Sequence, residues 1–242
     1  MKKPQLYVFA GPNGAGKSTL SATMLPPGTP IFDGDKELAL LRQQFPGLDS
    51  GNLYDAVNGH IYEDWKKRAI RSGSDCAFET NFRLPDVMRS VDQFKDSGYE
   101  VRLIFFGLDS IEASVERVAM RVAHGGHDVS PDNIRENYDN GLKNLGIYYE
   151  RFDSVHLYHN YENQQQIIQS VPLMTIEVDQ IKEQALSLPD WAKAFSQILT
   201  QKQTLENKPE NNQRKQQDIG TWLNRGSEYG HDDKEQSRGN KL

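Results

Sequence analysis

A glycine-rich loop near the start of the chain constrains its fold more than any other feature. Residues 11–18, GPNGAGKS, fit the pattern G-x-x-x-x-G-K-[ST] without a mismatch. The apolar run Leu6–Ala10 precedes this loop, and the segment Lys17–Leu25, which has helical character, follows it. Strand, loop and helix in this order form the context in which such a loop holds phosphate. The sequence therefore predicts an α/β fold that binds a nucleoside triphosphate.

The loop supplies several groups that suit a triphosphate. Its glycines let successive backbone N–H groups point inward, and the positive end of the following helix adds to the attraction for an anion. Lys17 is expected to reach the β- and γ-phosphates, and the Ser18 hydroxyl is expected to bind Mg²⁺. The predicted nucleotide-binding residues are Gly11, Pro12, Asn13, Gly14, Ala15, Gly16, Lys17, Ser18 and Thr19.

The rest of the chain alternates predicted strands with predicted helices. Further strands are expected at Pro30–Phe32, Asp75–Glu79, Val101–Leu108, Val155–Tyr158 and Leu173–Val178. Further helices are expected at Leu38–Phe45, Leu53–Arg71, Pro85–Gly98, Ser110–Ala123, Pro131–Arg151 and Pro189–Leu199. This alternation predicts a three-layer α/β/α fold with a mainly parallel central sheet covered on both faces. With the phosphate loop it indicates a fold of the P-loop NTPase or kinase kind, for which we also expect a helical lid.

Composition separates residues 1–200, the expected kinase-like domain, from a polar tail at residues 201–242. The tail is rich in Gln, Asn, Lys, Glu and Gly. It has too few apolar residues to offset the entropy of ordering, so we expect it to be mostly disordered. Its apolar pair, Trp222 and Leu223, is either a short docking motif or an incidental feature of a flexible segment.

Charge and cysteine content exclude several classes of protein. The chain carries 28 Lys and Arg against 34 Asp and Glu, a net charge of −6, which argues against a protein that coats nucleic acid. Cys76 is the single cysteine, so neither an intrachain disulfide nor a cysteine-based zinc site can form. No apolar run is as long as a membrane-spanning helix, which needs about 18 residues. We expect a cytoplasmic protein with no nucleic-acid or membrane partner.

Two aspartates follow the second predicted strand, at the edge where the carboxyl ends of parallel strands form a ligand crevice. Asp33 and Asp35 can serve there as a base for an acceptor hydroxyl and as an outer Mg²⁺ group. Alternatively, Asp33 and Gly34 form a turn and Asp35 caps the next helix.

A second polar group follows the third predicted strand at the same edge. Glu79 ends that strand, and Thr80, Asn81 and Arg83 come directly after it. These side chains can offer directional hydrogen bonds to a polar acceptor such as a sugar. The alternative is that they serve the local loop and the start of the following helix.

Arg117 and Arg121 lie four residues apart on a predicted helix and therefore share one face. Two guanidinium groups one turn apart, next to the flexible segment His124–His127, suit a clamp for phosphate oxygens. The alternative is a solvated helix face on which Glu112 and Glu116 pair with the two arginines. His127 itself is expected to be structural.

Taken together, these motifs resemble the zeta-toxin family of P-loop kinases over roughly residues 4–180. Four features match in order: the loop Ala10–Thr19, Asp33-Gly34-Asp35, Phe78-Glu79-Thr80, and Arg117-Val118, Arg121-Val122 and Gly125-Gly126-His127 with Ile134 and Asn144-Leu145 downstream. The chain departs from the family at His159-Asn160-Tyr161, where family members carry Asp-Asn-Ser, and at Thr80-Asn81, where plasmid toxins carry Gly-Thr.

The resemblance implies a kinase that phosphorylates the 3′-hydroxyl of UDP-N-acetylglucosamine, with ATP or GTP as the phosphate donor and Mg²⁺ as the metal. By the same resemblance, Asp35 corresponds to the general base and Glu79 to an acceptor-binding acid. Arg117 corresponds to a phosphate-clamping arginine, with Arg121 as the second. The resemblance also implies a toxin of a toxin–antitoxin system, with an antitoxin protein as partner.

Two other functions fit the same residues. One is a P-loop kinase for a different hydroxyl acceptor, such as an antibiotic, a nucleoside or a polynucleotide end. The other is a non-catalytic nucleotide-binding regulator. A regulator of that kind needs no acceptor pocket, whereas a kinase needs a base, cations and a pocket in one place.

Overall fold

The computed structural model describes residues 2–126, 128–162 and 168–206. The chain divides into two compact units, Met1–Phe195 and Ser196–Leu242. Of the second unit, residues 196–206 are described, and they are helical. The residues with a predicted role that lie outside the described part are His127 and the tail positions Trp222 and Leu223. The predicted domain boundary after residue 200 stays a prediction.

A central sheet organises the first unit, and in the described residues it has seven strands in the order β2-β3-β1-β4-β5-β6-β7. The strands are β1 (Gln5–Ala10), β2 (Ile31–Phe32), β3 (Cys76–Thr80), β4 (Glu100–Gly107), β5 (Ser154–Glu162), β6 (Ile168–Glu177) and β7 (Gln180–Gln184). The strands β1 to β5 pair in parallel, whereas β6 and β7 are antiparallel. The predicted α/β class with a mainly parallel sheet is confirmed.

Seven of the helices in the described residues connect the parallel strands, as the alternation predicts, and an eighth follows β7. They are α1 (Lys17–Met24), α2 (Gly34–Gln44), α3 (Ser50–Asp55), α4 (Tyr62–Ser72), α5 (Val87–Asp96), α6 (Ile111–Ala123), α7 (Pro131–Tyr148) and α8 (Asp190–Glu206). A π-helical turn, Ala56–Ile61, joins α3 to α4, and a 3-10 turn, Tyr149–Arg151, follows α7. The single helix predicted at Leu53–Arg71 is therefore a continuous helical stretch with a π-turn inside it. None of the helices in the described ranges is long and apolar enough to cross a membrane.

Both faces of the sheet are covered by apolar side chains. On one face, Phe9 and Phe106 stack and pack with Tyr138 of α7. On the other face, Trp65 of α4 packs on the ring of Phe78. Burial on both sides explains why the parallel strands are continuous apolar runs rather than alternating ones.

The order of the parallel strands brings the carboxyl ends of β1, β2 and β3 together. Ala10, the last residue of β1, is level with Thr80 in β3, and Phe32 of β2 is level with Phe78. The phosphate loop, the Asp33 segment and the Glu79 segment therefore leave the sheet side by side.

The structure differs from the sequence prediction at the far side of the sheet. Strand β5 continues to Glu162 instead of ending at Tyr158, β6 begins at Ile168, and β7 was not predicted. The apolar pattern of β5 is interrupted by the polar residues His159 and Asn160, so the sequence does not indicate that the strand continues. Strand β7 is a mostly exposed edge strand without a buried apolar pattern. The limits of β5, β6 and β7 are therefore set by their antiparallel pairing with one another, and not by local hydrophobicity.

Candidate active site

A cavity of about 720 Å³ lies at the carboxyl ends of β1, β2 and β3. It brings together most of the residues that the sequence singles out. Those lining it are Asn13, Gly14, Ala15, Gly16, Lys17, Ser18, Thr19, Asp33, Asp35, Glu79, Thr80, Asn81, Arg117 and Arg121. Gly11 and Pro12 belong to the same loop but are not part of the lining, and Arg83 lies elsewhere.

The phosphate loop is fixed by contacts behind the cavity. Gly11 lies so close to β4 that a side chain there would overlap the carbonyl oxygen of Phe106. The Ser114 hydroxyl of α6 donates to the Asn13 carbonyl oxygen at 2.6 Å. The Asn137 amide of α7 donates to Asn13 Oδ1, also at 2.6 Å. Two helices and a strand thus determine the shape of the loop before any ligand arrives.

The Lys17 side chain folds back onto this loop. Its ammonium donates to the carbonyl oxygens of Gly11 (2.8 Å) and Pro12 (3.0 Å) and to Asn81 Oδ1 (2.8 Å). Burial lowers the pKa of the ammonium below its ordinary value, and the nearby carboxylates, led by Asp35, oppose that fall. The cavity therefore holds a desolvated cation, which attracts phosphate more strongly than an exposed one.

Ser18 lies between two carboxylates. Its Oγ is 2.9 Å from Asp33 Oδ2 and 2.6 Å from Glu79 Oε2, and Ser21 Oγ donates to the other Glu79 oxygen at 2.8 Å. Burial raises the pKa of Glu79 above its ordinary value; the hydrogen bond from Ser18 opposes this rise and the Asp33 charge adds to it. Burial also raises the pKa of Asp33, but hydrogen bonds from Lys36 and Ser18 outweigh burial and hold it below its ordinary value.

This arrangement suits a metal that keeps most of its water. The described residues contain no group of three or more His, Cys, Asp or Glu side chains that could hold a metal ion by itself. Mg²⁺, however, is commonly bound by few protein oxygens together with phosphates and waters. A hydroxyl flanked by two carboxylates provides such a set of oxygens at the edge of the loop.

Asp33 and Asp35 have different surroundings. Asp33 is the N-cap of α2, and its Oδ1 accepts hydrogen bonds from the backbone N–H groups of Asp35 (3.1 Å) and Lys36 (3.2 Å). The alternative in which Asp35 caps this helix is therefore wrong. The Asp35 carboxylate is exposed, lines the cavity and makes no hydrogen bond within the described residues. It is available to a ligand.

The two arginines of α6 are not solvated surface groups. The Arg117 guanidinium donates to the carbonyl oxygens of Gly14 (3.1 Å) and Asn160 (3.3 Å), and its Nε is 3.4 Å from a Glu162 oxygen. Its ion pair is thus with β5 and not with Glu112 or Glu116. Arg121, one turn further along α6, lines the cavity close enough for its charge to lower the pKa of Lys17.

The residues after β3 divide into two groups. Glu79, Thr80 and Asn81 line the cavity, whereas Arg83 points to α7, where it contacts Glu136 (3.2 Å) and Asn133 (3.3 Å). Thr80 Oγ1 accepts the backbone N–H of Phe82 at 3.0 Å. The structure therefore does not bring Arg83 to the predicted acceptor site, because the chain turns away from the cavity after Asn81.

Sequence reasoning missed two parts of the site. One is Asn160, whose side-chain amide donates to the Ala15 carbonyl oxygen at 2.6 Å and so ties β5 to the phosphate loop. Its signal in the sequence is the segment His159-Asn160-Tyr161, to which no contact with the loop could be assigned. The other is a part of the cavity lining formed by Leu38, Ala39, Tyr54, Val57 and Asn58. These residues come from α2, α3 and the π-turn, and π-turns are frequent at functional sites.

Comparison with known families decides the classification. The sequence profile of the Zeta toxin family matches residues 1–171. The chain belongs to the Zeta toxin family. This Zeta toxin family member is 25% identical over 130 residues to an uncharacterized protein of Haemophilus influenzae, a match that covers 54% of this chain and 89% of the relative.

Solved structures show the same fold. The PezAT chromosomal toxin–antitoxin system of Streptococcus pneumoniae contains a chain with a TM-score of 0.55 and 18% identity, over 84% of this chain and 87% of that one. The AvrRxo1-ORF1:-ORF2 complex with ATP gives a TM-score of 0.56 and 13% identity, over 81% of this chain and 64% of that one. These likenesses show that this Zeta toxin family member shares the α/β fold of those two chains.

The close approach of α6 to the phosphate loop leads to a first prediction. Gly14 has a φ of +75°, and a Cβ there would lie 2.8 Å from the Cβ of Arg117. We expect the substitution Gly14→Ala to displace the loop and to weaken ATP binding at least about tenfold, a cost of roughly 1.4 kcal/mol. Isothermal titration calorimetry with ATP measures the change.

Gly28→Ala is the matched control for this Zeta toxin family member. Gly28 has a similar φ of +85° but nothing within 4 Å of the added Cβ. It therefore carries the same backbone strain without the clash. Equal ATP affinity for the two variants would contradict the role assigned to the contact between Gly14 and Arg117.

Proposed function

We propose that this chain is a phosphotransferase that moves the γ-phosphate of ATP to a hydroxyl of a nucleotide sugar, with the 3′-hydroxyl of UDP-N-acetylglucosamine as the expected acceptor. The observation that carries the proposal is the convergence of Lys17, Asp35 and Arg121 on one cavity. A phosphoryl transfer needs a group to take up the hydroxyl proton, cations around the moving phosphate and room for two substrates. Membership in the Zeta toxin family supports the same reaction class.

The phosphate loop forms the donor side of the cavity. Backbone N–H groups at the start of α1 and the Lys17 ammonium are placed to hold the terminal phosphates. Ser18, with Asp33 and Glu79 beside it, is placed to hold Mg²⁺, which supplies charge neutralisation for the phosphate oxygens when bound. Arg121 provides a further positive charge in the same cavity.

The α2–α3 side of the cavity suits the acceptor. Asp35 lines it with an exposed carboxylate, and Tyr54 and Asn58 line it as well. An exposed aromatic ring packs against the C–H face of a sugar or against a base, and an amide gives directional hydrogen bonds. This mixed wall fits a polar ring compound better than a purely apolar one.

The proposed step is a direct displacement. The acceptor hydroxyl oxygen forms a bond to the γ-phosphorus while the bond from that phosphorus to the β,γ-bridging oxygen of ATP breaks. The hydroxyl proton passes to the Asp35 carboxylate, and ADP leaves with the bridging oxygen. Lys17 and Arg121 stabilise the charge spread over the phosphate oxygens during the transfer.

Incubation with ATP, Mg²⁺ and a panel of nucleotide sugars tests the proposal. We expect the mass of UDP-N-acetylglucosamine to rise by that of one phosphate group, with formation of an equal amount of ADP. A panel of antibiotics, nucleosides and polynucleotide ends serves as the comparison. Phosphorylation of one of these compounds, and not of a nucleotide sugar, would show that the acceptor belongs to that other class. Thermal stabilisation by ATP without any product would favour the non-catalytic regulator.

We also propose that an antitoxin protein binds this chain. The structural neighbour from Streptococcus pneumoniae belongs to a toxin–antitoxin system, and the shared fold supports the proposal. Growth of cells that express the chain alone, compared with cells that also express the adjacent open reading frames, tests whether the activity is toxic and neutralised.

A further inference from the structure

The Lys17 ammonium has used its full hydrogen-bonding capacity. An ammonium has three N–H donors, and Lys17 has three acceptors within 3.0 Å. Two of these, the carbonyl oxygens of Gly11 and Pro12, belong to the phosphate loop itself and move with it. The third, Asn81 Oδ1, comes from the end of β3 and is independent of the loop. Asn81 is thus the side chain that ties Lys17 to the sheet.

The turn that carries Asn81 is held in an unusual conformation. Phe82 has a φ of +54°, which a non-glycine residue adopts only when its surroundings impose it. Its ring is fully buried and packs against Tyr148 and Phe152, and its backbone N–H donates to Thr80 Oγ1. Burial of the Phe82 ring therefore fixes the direction in which Asn81 leaves the sheet.

Helix α7 braces the same turn from the other side. The Asn144 amide donates to the carbonyl oxygens of Phe82 (2.7 Å) and Arg83 (2.9 Å). Gly141 faces the Asn81 carbonyl oxygen so closely that a Cβ would come within 2.9 Å of it. A loop that merely offered hydrogen bonds to an acceptor would not need this bracing. The contacts fix a single side chain, Asn81, against a single partner, Lys17.

We propose that Asn81 is a positioning residue for Lys17, rather than the acceptor-binding residue that its place in the sequence suggests. Its Oδ1 holds the ammonium toward the phosphate site, and a phosphate oxygen takes over part of this role when nucleotide binds. Only the kinetic part of this inference rests on the proposed function. The binding of ATP can be measured without any transfer reaction.

The loss of the Asn81 amide is expected to affect the part of ATP that Lys17 reaches. Asn81→Ala removes the acceptor that holds the ammonium, so we expect ATP to bind about tenfold more weakly. AMP lacks the β- and γ-phosphates, so its affinity is expected to stay unchanged. KM for the acceptor does not change.

The measurement uses the full-length, nucleotide-free protein. The affinities for ATP and for AMP are measured by calorimetry. Asn52→Ala is the matched control, because Asn52 is an exposed asparagine of α3 that does not line the cavity. It is expected to leave both affinities unchanged.

The outcomes separate this inference from the proposed function. An equal loss of ATP and AMP affinity, or a raised acceptor KM with normal ATP affinity, overturns the positioning role and leaves the kinase proposal intact. Weaker ATP binding with unchanged AMP binding, in a protein that phosphorylates nothing, supports the positioning role and refutes the kinase. Should Asn81→Ala fail to fold, Asn81→Ser, which also removes the amide oxygen, is compared in the same way.

Discussion

Asp35→Ala is expected to lower the rate of phosphoryl transfer by about 10²–10⁴-fold, the usual loss when a general base is removed. Asp33 is the N-cap of α2, and the Asp35 carboxylate makes no structural hydrogen bond within the described residues. Its removal should therefore cost the reaction far more than it costs the fold. Steady-state kinetics with ATP and the acceptor, together with the melting temperature, measure the two effects.

Glu37→Ala provides the matched control for Asp35→Ala. Asp35 and Glu37 are both acidic residues in the first turn of α2. Each substitution therefore removes one negative charge near the positive end of that helix. Only Asp35 lines the cavity. A similar loss of turnover in both variants would show that charge at the helix start, and not proton transfer at Asp35, is responsible.

Arg121→Ala is expected to reduce kcat by about 10³-fold, at the lower end of what an arginine contributes to phosphoryl transfer. Arg121 lines the cavity, and its positive charge lowers the pKa of Lys17. Both cations therefore act on the same region. Because the arginine neutralises charge that develops during the transfer, ATP affinity should fall much less than kcat. Pre-steady-state measurement of product formation separates the two quantities.

Arg117→Ala should behave differently, although it lies one helical turn away. Its guanidinium is bound to the Gly14 and Asn160 carbonyl oxygens and to Glu162, so it braces the loop. We expect weaker ATP binding as its main effect. Arg135→Ala, an exposed arginine on α7, is the control for loss of positive charge alone. A larger fall in kcat for Arg117→Ala than for Arg121→Ala would reverse these assignments.

Those parts of the site that depend on local backbone chemistry could be predicted from the sequence. The loop Gly11–Ser18 needs glycines, a preceding strand and a following helix, and all three are visible in the order of the residues. The position of Asp33 after β2 and of Glu79 at the end of β3 follows from the rule that parallel strands end at one edge.

The parts that depend on distant contacts could not be predicted. Asn81 and Arg83 are two residues apart and both have polar side chains, yet one lines the cavity and the other pairs with α7. The difference arises at Phe82, whose positive φ is imposed by packing against Tyr148 and Phe152, far along the chain. Likewise, Asn160 reaches the loop only because β5 extends beyond its apolar section.

The central place of β1 in the sheet also governs when the proposed active site can form. Among the described strands β1 comes first along the chain, but its neighbours begin at Cys76 and Glu100, and the loop rests against Phe106. Pairings between such distant segments form late and slowly. A growing chain on the ribosome therefore carries an incomplete pocket around the phosphate loop until Phe106 has emerged. Synthesis itself thus delays completion of the proposed site.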